Sequence, residues 1–375
     1  MIGKLRKKNK VLLPEEMLKE HYVGKLYGKY HENPGVFNIY SQEMITAGLP
    51  CDEIGIVAES NENCEDCLLG IWNGENITFR YSNEEYQVEQ YSLIQNIFSR
   101  NTGILESSIM QKKETIILGC GSVGSLVALQ LAKSGVGKFL LVDNDILEYH
   151  NLCRHQCGIS DVGKYKTDAL KERILNINSS AEVTCETCTF EMVSKEIFDI
   201  HCIKGDAMIV GCADNRASDV YANSIAVMYH IPFVSIGFWE RAFAGEIFYY
   251  LPDKDMPCYK CALGDGGNLS NRINTNRRIY TNEEDLTKVV FEPGISVDID
   301  FVTVIGIKII LDILNMESNG YTSRLLDSLQ QFTLVCNTNK AEIGGEMAEI
   351  FSYPLQVTTS LKVSHGTNCP PCEFL

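Results

Sequence analysis

The segment Thr115-Ile-Ile-Leu-Gly119-Cys-Gly121-Ser-Val-Gly124 constrains this chain more than any other. Residues 115–118 are short, apolar and β-branched, the pattern of a buried strand. Gly119, Gly121 and Gly124 follow at the G-x-G-x-x-G spacing. Residues 122–134 then carry Val123, Leu126, Val127 and Leu131 at near-helical spacing, and Gly135 supplies a stop. Residues 138–142 form a second apolar strand, with Asp143 at its carboxyl end. Glycines let a backbone turn tightly against a phosphate, a helix start offers free N–H groups, and a carboxylate can accept from ribose hydroxyls. The pattern predicts a βαβ nucleotide site. By itself it says no more than that: an NAD-dependent oxidoreductase would read the same up to Asp143, which lies 19 residues after Gly124.

The chain that surrounds this unit has 375 residues, enough for two or three domains. A formal net charge of −16 argues against nucleic acid as a partner. The basic start, 4–10, reads as a solvated tail. No apolar core follows those charges, so no secretory signal is expected. The longest apolar run, 301–314, contains Lys308 and is too short to span a bilayer, so no membrane association is expected. The chain is therefore read as cytoplasmic. In that setting its 15 cysteines are expected as reduced thiols or metal ligands rather than a disulfide framework.

Residues 1–110 read as a small mixed domain for substrate docking. Trp72-Asn73-Gly74-Glu75 is a hairpin turn leading into a strand over 77–79, and 86–98 is predicted helical. From 111 onward strand and helix alternate, which predicts an α/β fold with a mostly parallel sheet and helices on both faces. Residues 146–165 read as loop and short turns, 167–178 as helix and 182–188 as strand. Strands are predicted at 207–211, 232–236, 245–250, 332–336 and 355–359, and helices at 217–229 and 295–315. Residues 264–294 are long, polar and irregular, a functional crossover loop.

Polar positions recur downstream of Asp143: Asn151-Leu-Cys-Arg154, then Lys166, then Asp214-Asn215. Arg154 and Lys166 are cations suited to phosphate oxygens. Asp214 follows directly on the 207–211 strand, which places it at the sheet's carboxyl edge, where a carboxylate can hold Mg²⁺. Four Cys-x-x-Cys pairs, Cys64/Cys67, Cys185/Cys188, Cys258/Cys261 and Cys369/Cys372, each offer two thiolates at the bite of a tetrahedral Zn²⁺ site.

In this combination the chain resembles the ThiF/MoeB superfamily of adenylating enzymes, which includes the ubiquitin-activating enzymes. It is most similar to the homodimeric bacterial forms, such as the molybdopterin-synthase adenylyltransferases and those that mature microcin C. The resemblance covers about 111–375. It implies a Rossmann-like adenylation domain, with Gly119, Gly121, Gly124, Asp143, Asp145, Asn151, Arg154, Lys166, Asp214 and Asn215 around ATP. Arg154, Lys166 and Asp214 would carry catalysis, Asp214 through Mg²⁺. The four cysteines 258, 261, 369 and 372 would hold a structural Zn²⁺ that ties down the tail. The implied reaction activates the C-terminal carboxylate of a peptide or a ubiquitin-like or sulfur-carrier protein, with release of pyrophosphate. A homodimer is implied as well, and the apolar 295–314 helix is a candidate contributor to it.

Three departures from the family pattern stand out. His155 occupies a position where the family usually has Gln. The upstream arginine that many members insert across the dimer is displaced or missing, with Arg80 and Arg100 as weak candidates. The crossover loop holds no cysteine for a thioester, which leaves Cys153, Cys157, Cys212 and Cys336 to consider, while Arg272, Arg277 and Arg278 there could grip a substrate tail. The other two pairs, Cys64/Cys67 and Cys185/Cys188, are expected as ordinary thiols and packing residues. Besides an adenylyltransferase, two readings compete: an oxidoreductase, which would leave Arg154, Lys166 and Asp214 without a job, and an inactive dimeric scaffold.

Overall fold

The computed structural model describes residues 7–60, 66–203, 206–213, 216–239, 242–263, 294–337 and 358–366. The chain divides into two compact units: Met1–Thr102 with Asn178–Ser180, and Gly103–Ile177 with Ala181–Leu375.

In the first unit seven strands close into a barrel, β1 (Lys10–Pro14), β2 (Gly24–His31), β3 (Val36–Ile39), β4 (Asp52–Ala58), β5 (Leu68–Asn73), β6 (Asn76–Tyr81) and β7 (Glu84–Tyr91). Its short helices are α1 (Glu15–Lys19), α2 (Gln42–Thr46) and α3 (Leu93–Ile97). The expected hairpin is present: Asn73 pairs with Asn76, and Gly74 takes φ +68°. The helix expected over 86–98 is not, because most of that stretch is β7 and α3 spans five residues. β7 fills the gap between β6 and β1, pairing Lys10 with Gln87 through Pro14 with Tyr91. Tyr86 turns inward, edge-on to Phe37 at 5.4 Å, while Glu85, Gln87 and Glu89 face out. That two-residue period defeats any helical preference, since closing the barrel satisfies both strand edges. Cys67 is disulfide-bonded, against the ordinary thiol expected there; Cys64 lies outside the described residues.

The second unit is built on an eight-stranded sheet. Its strands are β8 (Glu114–Leu118), β9 (Lys138–Val142), β10 (Glu182–Glu186), β11 (Ala207–Gly211), β12 (Phe233–Phe238), β13 (Ala244–Tyr250), β14 (Phe332–Cys336) and β15 (Thr358–Leu361), in the order 10-9-8-11-12-13-14-15. Pairing is parallel from β10 to β12 and antiparallel from β12 to β15. The sheet is thus mixed rather than mostly parallel. The link from β12 to β13 is too short for a crossover helix, so those strands must form a hairpin.

Side chains alternate between two cores. Ile117, Leu141, Val210 and Ile236 join α5 (Ser122–Lys133), α6 (Lys166–Leu175) and α10 (Ser296–Asn315) on one face. Ile116, Leu140, Ile209 and Phe233 join α7 (Lys195–Cys202), α8 (Arg216–Tyr229) and α9 (Tyr259–Leu263) on the other. A further short helix, α4 (Ser107–Met110), precedes β8. The expected helices on both faces are present; α7, capped by Ser194, was not foreseen. Of the expected 355–359 strand, Thr358 onward lies in β15 and 355–357 lie outside the described residues, as does the crossover loop apart from Gly294. In α10, Val302, Ile309 and Ile310 are fully buried in its own domain. Each such side chain contributes about 2 kcal/mol of burial.

Asp312 of α10 organises the chain after that helix. It accepts from the Tyr321 hydroxyl at 2.6 Å and from the backbone N–H groups of Arg324 (3.0 Å), Leu325 (2.7 Å) and Leu326 (3.0 Å). Burial opposes its charge, but these donors outweigh burial and hold the carboxyl below its ordinary range. Because its folded pKa is depressed, this stabilisation is present above the unfolded carboxylate value near 3.9 and is lost as pH falls through the folded value. Asp312→Asn turns a donor toward these donors and is expected to cost about 2–4 kcal/mol in urea unfolding at pH 7. The difference from wild type should shrink in acid; a difference that stays constant down to pH 2 would refute the assignment.

Candidate functional site

The nucleotide loop begins where β8 ends. Gly119 takes φ +85°, and a Cβ there would lie 2.9 Å from the Ala213 nitrogen. A Cβ on Gly124 would lie 1.8 Å from the Gly119 carbonyl oxygen. Those two glycines are therefore required by the chain's own packing. Gly121 differs: among the described residues a Cβ there meets nothing within 4 Å, so this position faces open space at the start of α5. β11 runs beside β8, Gly211 opposite Leu118, and the Cys212 N–H donates to the Leu118 carbonyl at 2.8 Å. The chain thus leaves β11 next to the glycine loop. Asp214 and Asn215, which follow, lie outside the described residues.

Asp143 and Asp145 tie this loop to the next segment. Asp143 Oδ2 accepts from the Cys120 N–H at 2.7 Å, and Oδ1 from the Asp145 N–H at 2.8 Å. Its first task in this chain is thus to hold the loop. Lys166, the first residue of α6, is buried and donates through Nζ to Asp145 Oδ2 at 2.7 Å. Asn151 accepts the Glu148 N–H on Oδ1 at 2.9 Å, and its carbonyl accepts the N–H groups of Arg154 and His155 at 2.9 and 2.8 Å. That turn carries Arg154, whose Nη1 lies 3.7 Å from the Cβ position of Gly294. The structure therefore groups the glycine loop, Asp143, Asp145 and Lys166 by direct contacts, with Asn151 and Arg154 on the adjoining turn.

The contacts of two residues escaped the sequence reading. Buried His155 bridges to the Cys120 carbonyl (2.7 Å) and to the Cys157 N–H (3.0 Å). Its motif position was visible, but its contact lies 35 residues away. Glu246, buried on β13, pairs with Arg216 at the start of α8 (2.5 Å) and accepts from Trp239 Nε1 (3.3 Å). An acid inside an apolar strand was the available signal.

The candidate thiols separate by burial. Burial pushes Cys212 up, and Cys157 to about 12, so neither supplies a thiolate at neutral pH. Cys336 is buried too, and Cys153 is exposed. Cys185 is pushed to about 11 by burial, consistent with the packing role expected for it. Cys258 and Cys261 flank the first turn of α9 with their sulfurs 3.7 Å apart, close to the ~3.8 Å separation of thiolates on a tetrahedral zinc. A Cβ on Gly366 would sit 3.5 Å from Cys261 Sγ, so the described end of the tail reaches this pair. Cys369 and Cys372 lie outside the described residues, and among the described residues no group of three or more metal ligands is assembled. Arg80 and Arg100 are exposed. Arg272, Arg277 and Arg278 lie outside the described residues. Among the described residues no helix is long and apolar enough to cross a membrane.

The ThiF family model matches residues 97–339, more than half of the chain. This chain belongs to the ThiF family. A sulfur carrier protein ThiS adenylyltransferase of Bacillus subtilis is 31% identical over 157 residues, 41% of this chain and 45% of that one. A ubiquitin-like modifier-activating enzyme 5 of Bombyx mori is 28% identical over 167 residues, 41% and 40% of the two chains. The ThiF-family chain thus spans less than half the length of these curated relatives. In fold it is similar to Escherichia coli MccB crystallised with MccA-N7isoASN, with a TM-score of 0.51 and 21% identity over 74% of each chain. The α/β fold with a mixed sheet is that of the family.

Proposed function

We propose that this ThiF-family chain is an adenylyltransferase that uses ATP to activate the C-terminal carboxylate of a peptide or of a ubiquitin-like or sulfur-carrier protein. The observation that carries the reading is the placement of the buried Lys166 ammonium with Asp143 and Asp145 at a glycine loop whose Gly121 faces open space. A hydride-transfer enzyme would leave Arg154, Lys166 and Asp214 as a set without a common role.

In the proposed reaction a substrate carboxylate oxygen bonds to the α-phosphorus as the bond from that phosphorus to the α,β-bridging oxygen breaks. Pyrophosphate leaves with the electron pair. The carboxylate is already ionised at neutral pH, so no general base is needed. The chain's task is positioning and charge neutralisation. Backbone around Gly121 and the amino end of α5 meet the phosphates, and Arg154 and Lys166 offset the charge that develops on them. Mg²⁺, held by Asp214, would neutralise further phosphate charge when bound. Lys166 would exchange its Asp145 partner for a phosphate oxygen as ATP enters.

The remaining assignments belong to the same proposal. Residues 1–110 dock the substrate, 111–375 form the adenylation domain, and the active form is a cytoplasmic homodimer. Cys258, Cys261, Cys369 and Cys372 hold a structural Zn²⁺. The spacing of the first two sulfurs fits that ion, and the four thiolates would tie the tail to α9.

The test is ATP–pyrophosphate exchange with candidate peptides and carrier proteins bearing a free C-terminus. Exchange that requires both substrate and Mg²⁺, with the acyl-adenylate seen by mass spectrometry, supports the reading. Absence of exchange together with absence of ATP binding overturns it. Metal analysis of the purified chain should return about one zinc per chain. Cys258→Ser should lose that zinc and lower the melting temperature; equal zinc in the variant would refute the assignment.

A further inference from the structure

On the reading that ATP lies along the glycine loop, we infer that His155 is a positioning residue for that loop: its neutral imidazole clamps the peptide between Cys120 and Gly121 and thereby sets nucleotide affinity. The Cys120 N–H belongs to the peptide shared with Gly119, and Asp143 holds it at 2.7 Å. The Cys120 carbonyl belongs to the next peptide, whose N–H is that of Gly121, and His155 Nε2 holds this oxygen at 2.7 Å. A glycine on each side of Cys120 would otherwise leave both peptide planes free to turn. The clamp therefore fixes where the Gly121 N–H points, at the position that faces open space.

The tautomer follows from the contacts. His155 Nδ1 faces the Cys157 N–H at 3.0 Å and must accept from it, so the proton is on Nε2, which donates to the Cys120 carbonyl. A second proton would set N–H against N–H at Nδ1. The charged groups around the ring are Lys166, Asp143 and Asp161. Burial opposes the imidazolium most, and Lys166 adds to that; the Cys120 carbonyl, Asp143 and Asp161 favour it but do not prevail, so His155 titrates below its ordinary 6.5. ATP affinity should thus be flat near neutrality and fall on the acid side as the clamp opens.

The experiment measures ATP binding by calorimetry from pH 5 to 8 for wild type, His155→Gln and His155→Asn, with thermal melts as the folding control. Glutamine places its amide N–H where Nε2 lies; asparagine reproduces Nδ1 alone. The Gln variant should bind within about threefold of wild type and decline less steeply in acid, keeping only the part due to protonation of the ATP terminal phosphate, while the Asn variant should bind about tenfold more weakly, the worth of one lost hydrogen bond. The imidazole ¹⁵N shifts of wild type should report the Nε2–H tautomer. If wild type binds ATP and the Asn variant equals it, or if the Gln variant declines in acid as steeply as wild type, the clamp is refuted while the nucleotide reading stands. If wild type binds no ATP at any pH, the nucleotide reading itself fails.

Discussion

Lys166→Met is expected to lower the kcat/KM of adenylate formation by about 10³-fold while leaving the fold intact, the scale of removing one preorganised donor from a charged transition state. The two halves of that expectation rest on different contacts. Lys166 is buried, so its ammonium is partly stripped of water and acts strongly on a phosphate oxygen brought beside it. Its ground-state partner, Asp145, has a side chain that is 61% exposed and returns to water at little cost when the lysine is removed. Methionine fills the space of the stem, and replacing a buried charge by an apolar group of similar size is often neutral for stability. Exchange assays and urea unfolding on the same preparation separate the two effects. Undiminished exchange in a folded Lys166→Met variant would remove the lysine from the chemistry.

Gly124→Ala and Gly121→Ala are expected to fail in opposite ways, although the two residues belong to one motif. A methyl at 124 would lie 1.8 Å from the Gly119 carbonyl oxygen and 3.3 Å from Ile117 Cγ2. The first neighbour is backbone and cannot swing aside, so α5 must lift from β8. The expected cost is about 3 kcal/mol or more of stability, with nucleotide binding lost alongside. A methyl at 121 meets nothing among the described residues, so that variant should melt with wild type yet bind ATP about tenfold more weakly, because the methyl takes space a phosphate needs. Thermal melts paired with calorimetry decide it. A Gly121→Ala variant that binds ATP as wild type does would show that the phosphates lie elsewhere.

Much of the second unit was legible from residue order because its elements are locally consistent. Residues 138–142, 207–211 and 332–336 are strands at the boundaries their apolar runs suggest. β7 was misread because isolated residues with a mixed pattern take whatever structure completes the barrel. The antiparallel extension was not read as such because strand direction depends on how β12 and β13 pair. At the site, residue types and spacing marked Asp143, Arg154 and Lys166, but their contacts could not be read. That Asp143 holds Cys120, that Asp145 holds Lys166 and that His155 closes the loop are facts of separations of 21 to 35 residues in the chain.

Sequence alone determined that this chain carries a glycine-loop α/β unit, because tight turns, strand apolarity and helix periodicity are local demands that each residue meets or fails by itself. Tertiary structure alone decided which glycine faces open space, which carboxylate holds the loop and which imidazole braces it. Those are outcomes of packing, where a side chain's role is set by whatever the fold brings within hydrogen-bond reach.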